Sequence, residues 1–163
     1  MSTATRRNPT TSSTQRVADP VVGAGRFAVV TTSQARTHLK AILDGAAEGR
    51  ITTIERANTT QRAAVVDADR LRRALEHLVA VAPVVVFEEG EWAVFLPGLP
   101  ISAGGATLDD AVADLIVALR EYAEDWHARL RLAPNHEGNW GLVQLVELSD
   151  DDQLARWLTR AAA

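Results

Sequence analysis

The sequence predicts an α+β protein built from two small units in series. Three observations carry this. Short runs rich in β-branched residues alternate with stretches of helical apolar spacing. The pattern restarts after Pro83, where a β-α-β-β-α order gives way to two successive strands and a long helix. The charge divides at the same place: residues 1–82 hold 12 Lys and Arg against 7 Asp and Glu, a net +5, while residues 83–163 hold 5 against 14, a net −9. A basic unit joined to an acidic one implies two different partners, one of them polyanionic. The plainer alternative is chance segregation of charge on solvated surfaces.

Composition narrows the class further. A chain of 163 residues with 47% hydrophobic side chains can bury a core. No apolar run reaches the ~18 residues that a membrane span needs. Arg6 and Arg7 lead into polar Asn-Pro-Thr-Thr rather than the apolar stretch of a signal peptide. The absence of cysteine excludes disulfides and thiolate metal sites. A cytoplasmic protein with no membrane partner is the expectation.

Residues 1–25, rich in Thr, Ser, Pro and Gly, read as a disordered basic arm. The first unit, residues 26–82, begins with a strand in R-F-A-V-V-T. Ser33 is placed to cap a helix over 33–48, with Ala35, Leu39, Ile42, Leu43 and Ala46 as its apolar stripe and Gly49 as a left-handed stop. I-T-T-I-E-R and R-A-A-V-V-D flank A-N-T-T-Q and predict a hairpin. Asp67 or Asp69 caps a second helix whose buried line is Leu71, Leu75 and Leu78. A unit of about 55 residues is small for a stable core, so a homodimer is expected.

The second unit, residues 83–163, opens with V-V-V-F-E and E-W-A-V-F-L-P around Glu-Gly, a hairpin signal. A short third strand can follow in I-S-A-G-G. Thr107 caps a long helix, with Asp109 and Asp110 suited to its dipole and Leu108, Val112, Leu115, Leu119, Tyr122 and Trp126 on one stripe. A-P-N-H-E-G-N breaks the chain. W-G-L-V-Q-L-V-E-L, apolar on both faces, reads as a buried strand. Ser149 and three aspartates then start a short final helix with Leu154, Trp157 and Leu158 at i, i+3 and i+4.

V-V-T-T-S-Q-A-R-T-H-L-K-A-I-L-D, followed by E-G-R-I-T-T-I-E-R and by R-A-A-V-V-D-A-D-R-L, resembles the Phd/YefM antitoxins, the DNA-binding halves of bacterial toxin–antitoxin pairs. The family's glycine-containing turn is replaced here by A-N-T-T-Q. The resemblance implies a symmetric dimer that sets the N-terminal ends of its first helices against double-stranded operator DNA. Arg36 matches the family's helix-opening arginine and Arg56 the arginine closing its second strand. A phosphate at the helix start, by Ser33, would meet free N–H groups, the helix dipole and Arg36, with Lys40 one turn on. Arg26 and the arm could reach neighbouring phosphates or a minor groove. Without the resemblance, Arg36 and Lys40 would read as an ordinary solvated face; His38 faces away from them and reads as a surface residue in either case.

V-V-F-E-E-G-E-W-A-V-F-L-P-G-L-P followed by I-S-A-G-G-A-T-L-D-D-A-V-A-D-L resembles a HicB-type antitoxin domain. That likeness implies a degenerate RNase H-like ββ(β)αβ unit, although the usual Gly-Cys after Leu-Pro and the family's DNA-binding tail are missing. Nuclease chemistry needs carboxylates converging on metal ions. Glu88, Glu89 and Glu91 sit at a turn and Asp109, Asp110 and Asp114 on a helix, which suits solvation and capping. The four histidines, His38, His77, His127 and His136, lack paired ligand spacing. No enzyme activity and no cofactor are expected.

Trp140 and Trp157 are two of only four tryptophans. With Leu154 and Leu158 they are the candidate anchors for a cognate protein toxin; alternatively both tryptophans close the second core. The expected function is an antitoxin that neutralises its toxin by direct binding and represses its own operon. The alternative is a dimeric DNA-binding repressor whose C-terminal unit senses a non-toxin partner or ligand.

Overall fold

The computed structural model describes residues 28–79 and 82–161, so Arg26 and the 1–25 arm lie outside the described residues. The described residues form two three-stranded sheets. In the first, β1 (Ala28–Thr31) runs parallel to β2 (Thr52–Glu55), which pairs antiparallel with β3 (Arg62–Val65). The β2–β3 connection turns without glycine because Asn58 takes φ +61°, a left-handed conformation that asparagine tolerates through local hydrogen bonding.

Between β1 and β2 the expected single helix is two: α1 (Thr32–Thr37) and α2 (Leu39–Ala47), separated at His38, whose φ/ψ of −112°/21° leave the helical region. The cap is Thr31 and not Ser33. Thr31 and Gln34 form a reciprocal capping box, in which the Gln34 amide donates to the threonine hydroxyl and the Gln34 side chain accepts from the Thr31 amide. A Gln three residues after Thr31 was the available signal. Gly49, at φ +88°, ends α2 as expected.

Only part of the predicted stripe is buried. Ala35, Ile42 and Ala46 face inward, while Leu39 and Leu43 are 52% and 53% exposed, and Val29 and Ile51 are exposed with them. Helix α3 (Ala68–Leu78), capped by Asp67, also departs from expectation. Leu75 is buried against the second half of the chain, where α3 packs on α5 (Trp140–Glu147), and Leu78 is 71% exposed. The helix that completes the first unit in sequence thus contributes its main apolar residue to the core of the second.

The second sheet is an antiparallel meander of β4 (Val84–Glu88), β5 (Glu91–Phe95) and β6 (Ser102–Gly105). The β4–β5 turn has positive φ at both Glu89 and Gly90, as a two-residue hairpin with the sheet's twist requires. Helix α4 (Leu108–Ala128) crosses β5 and β6, capped by Thr107 and burying Val112, Leu115, Leu119 and Tyr122. Gly105 permits this seating: a Cβ there would lie 2.6 Å from the Ala111 amide nitrogen, so the first turn of α4 rests directly on bare backbone.

The run 140–148 is a helix, α5, and not the strand expected there, so the closing strand of a ββ(β)αβ unit is absent from this segment. Leu142, Val143, Leu145 and Val146 are all buried, α5 lying between α3 and α4. Apolar character on every side erases the periodicity that separates a buried strand from a buried helix. The final helix, α6 (Asp151–Ala161), is capped by Asp150, which exchanges hydrogen bonds with Gln153 at 2.7 and 3.0 Å. Ser149 instead donates its hydroxyl back to the Leu145 carbonyl. Arg120 on α4 holds the α5–α6 turn by donating to the carbonyls of Val146 and Ser149 and to Asp151.

Candidate functional site

Two surfaces gather the residues singled out by sequence. The first lies at the end of the first sheet where β1 feeds α1. Parallel pairing puts Thr31 beside Glu55, and the Thr32 hydroxyl donates to the Glu55 carbonyl at 3.3 Å. Ser33, just inside α1, and Arg56, just beyond β2, are therefore brought to the same end of the sheet. Both are exposed, as are Arg36 and Lys40. The geometry of the helix start differs from the expected anion seat. The capping box already occupies the Gln34 amide, and Arg36 stands in the last turn of the short α1, where a cation complements the dipole.

The cations there are differently engaged. Lys40, beyond the His38 break, pairs with Asp44 at 2.7 Å, and that hydrogen bond and charge raise the lysine pKa. Arg56 has only a long contact, 3.5 Å, to the Gln61 side-chain oxygen. Arg36 has no ion-pair partner among the described residues. Its guanidinium is available to an external anion, and Lys40 is so only in competition with Asp44.

The second surface is an apolar cleft of about 420 Å³ between the end of α3, the 97–99 turn and the start of α5. Trp140, 50% exposed, and Leu78 flank it, with Leu75 and Leu142 reaching it from the core. Gly141 lies where α5 meets α3, and a Cβ there would make ordinary contacts with Val79 and Leu75 at 3.7 and 3.9 Å. The loop before Trp140 is pinned to α4. The Trp126 indole donates to the His136 carbonyl at 2.8 Å, Tyr122 bonds the His136 ring at 2.9 Å, and Asn139 donates to the tyrosine oxygen at 2.7 Å. A large aromatic is thus held half out of the surface on a fixed support.

The other three candidate anchors are not at any surface. Leu154, Trp157 and Leu158 are buried in the second core, Trp157 at 3% exposure. This corrects their assignment as partner contacts: i, i+3, i+4 spacing marks the apolar face of a helix but not what covers it, and here α6 packs on α4. Leu78 is the residue that sequence reasoning missed, because its helical spacing from Leu75 made it look internal. Among the described residues no three acidic or histidine side chains come together in a way that could hold a metal ion. Nor is any helix among them long and apolar enough to cross a membrane.

Residues 27–158 match the PHD-like family, described as the antitoxin of RelE/RelB toxin–antitoxin systems. The match runs across both halves of the chain. No curated protein matches it. Among solved structures, the chain is similar to the antitoxin part of a candidate toxin/antitoxin system from Syntrophomonas wolfei subsp. wolfei. The TM-score is 0.65 at 16% identity, covering 79% of this chain and 94% of that one, a likeness of fold.

Proposed function

Since the chain belongs to the PHD-like family of toxin–antitoxin antitoxins, we propose that it neutralises a protein toxin by direct binding and represses its own operon as a DNA-bound homodimer in the cytoplasm. The observation that carries this reading is the family match over residues 27–158, which includes both candidate surfaces. In this reading the first unit is Phd/YefM-like. Val29, Leu39, Leu43 and Ile51, exposed in the single chain, are covered by a second copy. Ser33, Arg36, Lys40 and Arg56 of each copy then face the phosphates of an operator, and the arm with Arg26 follows the backbone further. The HicB-like second unit presents Trp140 and Leu78 to the toxin, an aromatic anchor beside an apolar cleft being a common hot-spot arrangement. The protein acts by binding and has no catalytic role or cofactor of its own.

Operator binding is the accessible test of the first surface. Arg36→Ala should leave the melting temperature unchanged, since the side chain is exposed and unpaired, and should reduce affinity for the chain's own promoter DNA. Removing one phosphate interaction per copy should flatten the salt dependence of log K by about two units for a dimer. A variant that keeps wild-type affinity and salt slope in an anisotropy titration would remove Arg36 from the interface.

A further inference from the structure

A third surface has a chemistry that neither of the first two shares. Helices α3 and α6 enclose a half-open cleft of about 540 Å³, lined by Arg72, Arg73, Glu76, Arg156 and Arg160 over the buried Trp157. Four guanidinium groups and one carboxylate leave an excess of three positive charges in a chain whose net charge is −4. Glu76 is shared: one of its oxygens accepts from Arg72 at 2.5 Å and the other from Arg160 at 3.1 Å. Arg72 and Glu76 are each only 12% exposed. Burial pushes the Glu76 pKa up, but the hydrogen bonds and charges of Arg160 and Arg72 outweigh it and hold the carboxyl below its ordinary value. It is therefore an anion at neutral pH, yet it is the cleft's one acceptor carboxylate.

The cleft is short of acceptors even so. The Arg72 Nε is buried with no hydrogen-bond partner. Among the described residues neither Arg73 nor Arg156 forms an ion pair, and Arg160 is held only through its exposed end. Guanidinium groups pair with phosphate through planar, bidentate hydrogen bonds that ammonium groups cannot reproduce. The cavity volume falls within the roughly 300–1,000 Å³ of small-molecule sites, larger than a single phosphate requires. It is also a concave notch between two helices rather than an extended track along which a nucleic-acid backbone could run.

We propose that the cleft between α3 and α6 binds a small oligophosphate compound, of the size of a nucleoside di- or triphosphate, with Arg73 and Arg156 as its primary phosphate contacts and Arg160 as a third once it turns from Glu76. Binding there joins α3, the helix that completes the first unit in sequence, to α6. None of its lining residues belongs to the proposed toxin or operator surface.

The test uses the full chain, with pyrophosphate and ATP as probes, in isothermal titration at about 0.15 M salt, where loosely condensed ions are screened. Saturable one-site binding is expected, with the two probes competing and the melting temperature rising with either. Arg73→Gln combined with Arg156→Gln should weaken binding by about tenfold or more, since both primary charge-assisted contacts to phosphate are removed. Both side chains are exposed, so the melting temperature without ligand should not move. Arg36→Ala should keep the binding, so failure of the operator assignment and of this site can be told apart. No saturable heat at low-millimolar probe, equal affinity in the double variant, or binding of DNA duplex alone through Arg73 and Arg156 would each overturn the proposal.

Discussion

Trp157→Ala should destabilise the folded chain by about 3–5 kcal/mol, the range for removing a large aromatic from a packed core. The indole is 3% exposed and shares its cluster with the fully buried Leu154 and Leu158 of α6 and Leu115 and Leu119 of α4. Arg120 fixes the α5–α6 turn to α4 at the start of α6. For a chain of this size the melting temperature should fall by about 10 °C or more. The α6 helix is short, and helices below about 12–15 residues depend on packing for their persistence. Any loss of toxin binding in this variant should follow the loss of folded protein. A normal melting temperature with selectively weakened toxin affinity would return Trp157 to the interface.

The second large effect is expected at the opposite end of the same core. Leu78→Glu combined with Trp140→Ala should weaken toxin binding by about 2 kcal/mol or more, roughly thirtyfold. Both side chains stand out from the surface, Leu78 at 71% and Trp140 at 50% exposure, so the melting temperature should hold. The glutamate adds a desolvation cost to any apolar partner pressed into the cleft. Calorimetric affinity and thermal melting measured on the same preparation separate this outcome from the Trp157 result. Unchanged affinity would clear the cleft of a toxin role.

These two tryptophans also show where sequence stops being informative. Trp140 opens an apolar helix and Trp157 lies on the apolar face of an amphipathic one, and nothing in their spacing distinguishes the exposed one from the buried one. Trp157 is covered because α6 packs on α4, and Trp140 stands at the edge of the α3–α5 contact, both being packing between elements far apart in the chain. The same long-range packing gathers the arginine cleft, in which Glu76 meets Arg160 across 84 positions. What was legible is local: the Glu-Gly hairpin turn, the Asp67 and Thr107 caps, the Gly49 stop and the α4 stripe each depend on a few neighbouring residues. The cap at Thr31 was legible too, through Gln34, but Ser33 offered the same chemistry two residues later. The α5 segment failed for a physical reason, since full burial removes the polar positions that reveal a period. Leu78 failed because one chain cannot show, from spacing alone, which apolar residues its own fold leaves uncovered.

The most direct measurement is growth rescue. The toxin partner is sought in the product of the adjacent gene, whose expression alone should arrest the host. Co-expression of the full chain should restore growth and yield a stable complex on purification, and the Leu78→Glu/Trp140→Ala chain, equally folded and equally abundant, should fail to restore it. Continued arrest with the wild-type chain present, and no complex recovered, would contradict the account of this protein as the neutralising partner of that toxin.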